Sequence, residues 1–225
     1  MKDFDHVYEP SDDTYLLLDG LQLAMNEQCL PVVKEKMTTL ELGCGTGVVT
    51  VFLAMELQRE SETSRHDKDN RHHVVTDINP EALRATQETA RANRVEESIR
   101  SVQCDLASQL LPELAESVDV LVFNPPYVPT PDDEVGGNGI EASWAGGVHG
   151  RRVIDRAIPQ IAQLLKKPHG TAYIITVDDN LPEDMASAFE QLGWKMEPWV
   201  RRRARNEFLT VQRVTQLQNQ QKQKV

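Results

Sequence analysis

Short runs rich in β-branched residues alternate along this chain with longer stretches of helical periodicity, and that alternation leaves few architectures open. Consecutive parallel strands need a crossover of a dozen or more residues, most simply a helix, so the pattern predicts an α/β fold on a mostly parallel sheet. Thr38 to Leu42 reads as the first strand and Val48 to Leu57 as the helix after it. His73 to Ile78 is the second strand, followed by a helix from Pro80 to about Asn93, with proline at a first-turn position where its missing N–H costs nothing. Ile99 to Cys104 is the third strand and the strongly apolar Val118 to Phe123 the fourth. The fourth stops at Asn124-Pro125-Pro126-Tyr127, where two prolines deny the ladder its donors. Beyond a Pro/Gly-rich loop from Tyr127 to Gly150, a helix is predicted from Arg151 to Lys167, with Ile154, Ile158, Ile161 and Leu165 at core-facing spacings. Thr171 to Val177 is a fifth strand and Leu181 to Leu192 a helix. Trp194 to Arg201 and Glu207 to Val214 are spaced as a closing antiparallel hairpin.

A length of 225 residues supports one sizeable core, so residues 1–214 read as a single domain. Its start is expected to be a helical cap in which Tyr15, Leu16, Leu17, Leu18, Leu21 and Leu23 cover apolar surface. Residues 59–71 form a polar, solvated insertion, and the glutamine-rich residues 215–225 a tail with little to bury. The balance of 24 Lys and Arg against 35 Asp and Glu, a formal charge of −11, argues against binding nucleic acid by collecting phosphates, and no stable direct DNA binding is expected. No segment approaches a membrane span, and the opening MKDFDHVYEP lacks the apolar core of a signal peptide, so a soluble protein of the cytoplasm, or also the nucleus, is expected. Cys29, Cys44 and Cys104 include no CxxC pair, so reduced thiols and no metal site are expected.

In Leu40-Glu41-Leu42-Gly43-Cys44-Gly45-Thr46-Gly47, three alternate glycines stand at a strand-to-helix junction, where backbone approaches a ligand without a Cβ in the way. The loop lacks the lysine-serine pair of a P-loop and the complete GxGxxG of a dinucleotide site, which favours a nucleotide-like ligand with little phosphate. Asp77, ending the second strand, suits two ribose hydroxyls, though a lone aspartate there also serves as a helix cap. Asp105, ending the third, suits an adenine amino group, with a cap or surface role as the alternative. Convergence at the carboxyl ends of parallel strands is where such folds bind ligands.

The Asn124-Pro125-Pro126-Tyr127 corner is the sharpest signal. The Asn124 side-chain carbonyl and the Pro125 main-chain carbonyl can accept two hydrogen bonds from one NH₂ group, and the Tyr127 ring offers a face for a planar amide or base. The prolines alone suit a simple strand terminator, which leaves Asn124 and Tyr127 without a purpose.

These segments resemble the class I S-adenosylmethionine-dependent methyltransferases, and within them the eukaryotic and archaeal HemK-like enzymes that methylate a glutamine side chain of translation release factors. The resemblance is carried by Tyr8-Glu9-Pro10-Ser11-Asp12-Asp13-Thr14, the glycine loop, Thr76-Asp77-Ile78-Asn79-Pro80, the NPPY corner, and Gly139-Ile140-Glu141-Ala142-Ser143-Trp144-Ala145-Gly146-Gly147, across residues 6–214. It implies a seven-stranded Rossmann-like sheet of order 3-2-1-4-5-7-6 with strand seven antiparallel. It implies S-adenosyl-L-methionine as cofactor, leaving as S-adenosyl-L-homocysteine, held by Glu41, Gly43, Gly45, Gly47, Asp77, Ile78, Asp105, Leu106 and Asn124, with Pro10 and Thr14 over its methionine end. By the same carry-over Asn124, Pro125 and Tyr127 are catalytic, and Pro126, Ile140 and Trp144 help receive the substrate, although Trp144 also suits a core plug.

The resemblance further implies a small zinc-binding activator protein as heterodimer partner, expected along the third strand, and a class 1 release factor as protein substrate. The corner by itself would also take the exocyclic amine of adenine, as in an adenine-N6 methyltransferase, and a protein-lysine methyltransferase and a noncatalytic cofactor-binding subunit are the other readings. Arg201, Arg202, Arg203 and Arg205 stand out from an acidic chain and read either as a basic patch that steers an acidic or RNA-associated substrate or as a solubilising turn.

Overall fold

The computed structural model describes residues 6–30, 37–64, 71–136, 140–204 and 207–217, without the side chains of 60–64 and 71. Seven strands build one sheet: β1 (Met37–Leu42), β2 (Arg71–Asp77), β3 (Ile99–Gln103), β4 (Val120–Phe123), β5 (Thr171–Val177), β6 (Trp194–Ala204) and β7 (Glu207–Gln216). Their order is β3-β2-β1-β4-β5-β7-β6. All pairs among β1 to β5 are parallel, whereas β7 runs antiparallel to both β5 and β6, as expected for the fold.

Helices cover both faces: α1 (Asp12–Asn26), α2 (Val48–Ser64), α3 (Pro80–Ala92), α4 (Leu111–Leu114), α5 (Arg152–Leu164) and α6 (Pro182–Gln191). Strand β4 explains why. All four of its residues are buried, so neither face can meet water. Leu121 and Phe123 join Ile154, Ile158 and Ile161 of α5 with Met185 and Phe189 of α6, while Val120 and Val122 join Leu16, Leu17 and Leu21 of α1 with Leu53 and Leu57 of α2. Tyr15, expected to cover core, is instead 53% exposed on α1.

Several boundaries move for identifiable reasons. Helix α2 continues beyond Leu57 to Ser64, because its glutamate, arginine and serine residues suit a solvated helix as well as a loop, and β2 opens at Arg71. Residues 65–70 and 218–225 lie outside the described residues. Helix α5 stops short of Lys167: Leu165 turns to extended backbone, is fully buried, and bridges Val118, whose carbonyl accepts from Lys166 N at 2.9 Å. Val118 therefore pairs with a helix end, and β4 begins only at Val120.

Register aligns the ends that matter. Leu42 lies opposite Thr76 and Phe123, and Asp77 opposite Gln103, so Gly43, Asp77, Cys104 and Asn124 emerge along one edge of the sheet.

Candidate active site

The turn after β1 holds Gly43, Gly45 and Gly47 at φ of +65°, +52° and +75°, the left-handed region that glycine adopts without strain. At Gly43 and Gly45 an added Cβ would enter open space. At Gly47 it would fall 2.7 Å from the Thr86 side chain, so this glycine seats the turn on α3 and, unlike the other two, does not line the cavity above.

Beneath the turn, Glu41 is buried and accepts hydrogen bonds from the Thr50 N–H (3.0 Å) and the Thr50 hydroxyl. Burial pushes its carboxyl up to about 8, against the pull of the Thr50 hydrogen bonds. Asp77 accepts from Gly45 N at 3.1 Å and Asn79 N at 2.9 Å, which fixes both carboxylate oxygens while leaving each a second lone pair. Burial raises its pKa too. Asn79 caps α3 by accepting from Glu81 N (2.9 Å) and donates to the His6 carbonyl (2.8 Å), tying the N-terminal segment to the end of β2. Ile78 is exposed beside it, and Leu106 is buried in a left-handed conformation. Asp105 forms an ion pair with Arg156 of α5, a partner the sequence did not single out.

At the end of β4, Pro125 is buried and the Asn124 side-chain Oδ1 is buried with no hydrogen-bond partner. An orphaned acceptor of this kind is costly unless a ligand supplies its donor. The Tyr127 hydroxyl donates to Asp13 Oδ2 at 3.1 Å, and the Tyr8 hydroxyl donates to the same oxygen at 3.0 Å. Asp13, only 2% exposed, is pinned through Oδ1 by Thr14 N at 2.6 Å. Burial, reinforced by the Asp13 charge, raises both phenols, Tyr8 to about 12 and Tyr127 further. The loop after the corner folds back over it: Val128 N donates to the Trp144 carbonyl at 3.0 Å and Gly146 N to the Val128 carbonyl at 2.9 Å.

These groups surround one cavity of about 360 Å³. It is within the ~300–1,000 Å³ of small-molecule and cofactor sites. Pro10, Thr14, Glu41, Gly43, Gly45, Asp77, Ile78, Asp105, Leu106, Asn124, Pro125, Pro126, Tyr127, Ile140 and Trp144 all line it. Trp144 is half-buried there, and Gly139 lies outside the described residues. Tyr8, Asp13 and Arg156 also line it and were missed, because Asp12-Asp13 reads as ordinary acidic residues in a helix's first turn.

The arginine group differs from expectation. Arg201 pairs with Asp178 at 2.8 Å and lies over the Phe208 ring, 4.5 Å from its centroid, while Arg202 pairs with Asp19 at 2.6 Å. Half of the expected basic patch is thus matched by local carboxylates, and Arg205 lies outside the described residues.

The sequence profile of the methyltransferase domain matches residues 33–223. The chain belongs to that family. It is 43% identical over 212 residues to the methyltransferase HEMK2 of Homo sapiens, covering 94% of this chain and 91% of that one. It is 30% identical to a putative protein N5-glutamine methyltransferase of Methanocaldococcus jannaschii, covering 85% and 82% of the two chains. Among solved structures, it resembles the E. cuniculi Mtq2–Trm112 complex responsible for methylation of the eRF1 translation termination factor, with TM-score 0.61 and 28% identity over 93% of this chain and 98% of that one. It is thus a HemK/Mtq2-like class I methyltransferase.

Proposed function

We propose that this methyltransferase transfers a methyl group from S-adenosyl-L-methionine to the side-chain amide nitrogen of a glutamine in a class 1 translation release factor. The observation that carries the reading is the orphaned, buried Asn124 Oδ1 in the cavity that Pro125 also lines, at the edge where the glycine turn and Asp77 emerge. The relatives named for glutamine or eRF1 methylation support the same chemistry.

The donor-side residues fit the cofactor. Gly43 and Gly45 leave room for close backbone approach, the second lone pairs of Asp77 suit ribose hydroxyls, and Ile78 and Leu106 offer apolar contact to a base. Asp105, steadied by Arg156, would take the adenine amino group, with Pro10 and Thr14 at the methionine end. The bound cofactor supplies an electrophilic methyl on a sulfonium.

A carboxamide nitrogen is a poor nucleophile because its lone pair is delocalised into the carbonyl. The chain's task is therefore to align that nitrogen and polarise its N–H bonds. Asn124 Oδ1 and the Pro125 carbonyl accept the two N–H groups and stabilise the positive character that grows on nitrogen, while Tyr127 packs on the amide plane. No dedicated base is needed: as the N–C bond forms and the C–S bond to the donor breaks, the nitrogen becomes strongly acidic and gives its proton to water.

The activator partner is proposed to be a small zinc-binding protein that extends the sheet at β3, where β2 is the only paired neighbour among the described residues. A cytoplasmic or nuclear location follows from that substrate class. The test is a donor-transfer assay on release-factor complex, lysine peptides and adenine-containing RNA in parallel, followed by mapping of the methylated atom. Methyl on a glutamine amide nitrogen is expected; methyl confined to lysine or adenine overturns the proposal.

A further inference from the structure

The corner that would receive the amide rests on one fully buried side chain outside the cavity. Asn180 follows β5 and is 0% exposed. Its Nδ2 donates to the Tyr127 carbonyl at 2.8 Å and to the His149 carbonyl at 2.8 Å, and its Oδ1 accepts from Val177 N at 2.8 Å. Three stretches of chain therefore meet on one planar amide: the NPPY corner, the loop that folds over it, and the last residue of β5.

The chemistry of that junction specifies the side chain. Two carbonyls from separate segments need two donors from one point, and the strand-end N–H needs an acceptor in the same plane, a combination that a primary amide supplies. Space is equally restrictive. A Cβ on Gly150 would fall 1.8 Å from the Tyr127 carbonyl oxygen and 2.6 Å from Asn180 Nδ2, and one on Gly146 would fall 2.4 Å from the Pro126 carbonyl oxygen. The returning loop thus lies backbone against backbone on Pro126 and Tyr127, with Asn180 as the common anchor. Tyr127 is held at both ends, its hydroxyl by Asp13 and its carbonyl by Asn180.

We propose that Asn180 is a positioning residue for methyl transfer: through the Tyr127 and His149 carbonyls it sets where the acceptor corner stands relative to the donor. This rests on the amide-methylation reading above. It assigns Asn180 no contact with either ligand, so its loss should act on turnover far more than on cofactor binding.

Asn180→Asp and Asn180→Ser separate this role from a merely structural one. Asp keeps the acceptor for Val177 N but turns a carboxylate on two carbonyl oxygens; when protonated it regains one O–H donor. The measurements, on the full chain co-expressed with an activator of the Trm112 class, are kcat on a glutamine-bearing release-factor substrate from about pH 6 to 9, S-adenosyl-L-homocysteine affinity by calorimetry, and the folded fraction by melting. Both variants are expected to bind the product within about threefold of wild type and to lose about 10- to 100-fold in kcat, the scale of a small misplacement of reacting groups. The Asn180→Asp deficit should shrink as pH falls, while the Asn180→Ser profile stays parallel to wild type. If Asn180→Asp does not fold, Asn180→Ser decides alone on kcat against affinity. Turnover within about twofold of wild type per folded molecule, or a kcat loss that merely tracks lost cofactor affinity, overturns the assignment. A wild-type chain that transfers no methyl to glutamine overturns the functional reading itself; an active wild type with unaffected variants removes only the role of Asn180.

Discussion

Glu41 makes stability depend on pH in a direction opposite to that of most carboxylates. Burial raises its carboxyl from an ordinary 4.5 to about 8. In the folded chain it therefore keeps its proton through neutrality, whereas the unfolded chain releases it near 4.5. Between those values unfolding releases a proton, so raising the pH favours the unfolded state. The stability present below pH 4.5 is lost progressively up to about pH 8, at ~1.4 kcal/mol per unit, on the order of 5 kcal/mol in all. Glu41→Gln removes the titration while keeping a carbonyl oxygen for the Thr50 N–H and hydroxyl. Urea denaturation of the cofactor-free wild type and variant, followed by tryptophan fluorescence at several pH values, isolates the effect, because other titrating groups, Asp77 included, are common to both. The wild type should lose several kcal/mol relative to Glu41→Gln between pH 5 and 8. Curves that stay parallel within about 1 kcal/mol would show that Glu41 ionises in the fold as readily as in water, and the reasoning fails.

Asn124→Ala should lower kcat by about 10- to 150-fold, matching one hydrogen bond of about 1.5–3 kcal/mol to a developing charge, with cofactor affinity nearly unchanged; an equal loss in both would reassign Asn124 to donor binding. Asp77→Ala should instead weaken S-adenosyl-L-methionine binding by at least about tenfold in calorimetry, and a Kd within about twofold of wild type would remove it from the ribose site. Gly47→Ala should cost more folding stability than Gly45→Ala, by about 1–3 kcal/mol: both suffer a positive φ, but only Gly47 drives a methyl into Thr86. Equal denaturation midpoints would contradict that packing role.

Local chemistry made the strands legible. Thr171–Val177 matches residue for residue because all seven positions are buried and mostly aliphatic or β-branched. The order of strands is another matter: periodicity says nothing of which parallel neighbour lies where, and the order 3-2-1-4-5-7-6 rested on family resemblance. The cavity-lining residues at strand ends were readable because strand ends in such sheets share an edge. What stayed hidden depends on partners far along the chain. Asp13 meets Tyr127 across 114 positions and Asn180 meets it across 53. Likewise the arginines near the hairpin are plain in the sequence, but Asp178 and Asp19, which partly cancel them, are 23 and 183 residues away. Gly47 was grouped with its neighbours because the sequence cannot distinguish a glycine that clears a ligand's path from one that clears a helix.

Because a single carboxylate receives both phenols, the front and the back of the reaction chamber share one hinge pin. Trimming the chain to begin at Asp19 would do more than shorten a helix: it would strip Tyr8, Pro10 and Thr14 from the cavity wall and, in the same cut, unlatch Tyr127 from Asp13. Because the same cut takes Leu16 and Leu17 out of the core beneath β4, shortening this end would loosen the sheet as well as open the cavity.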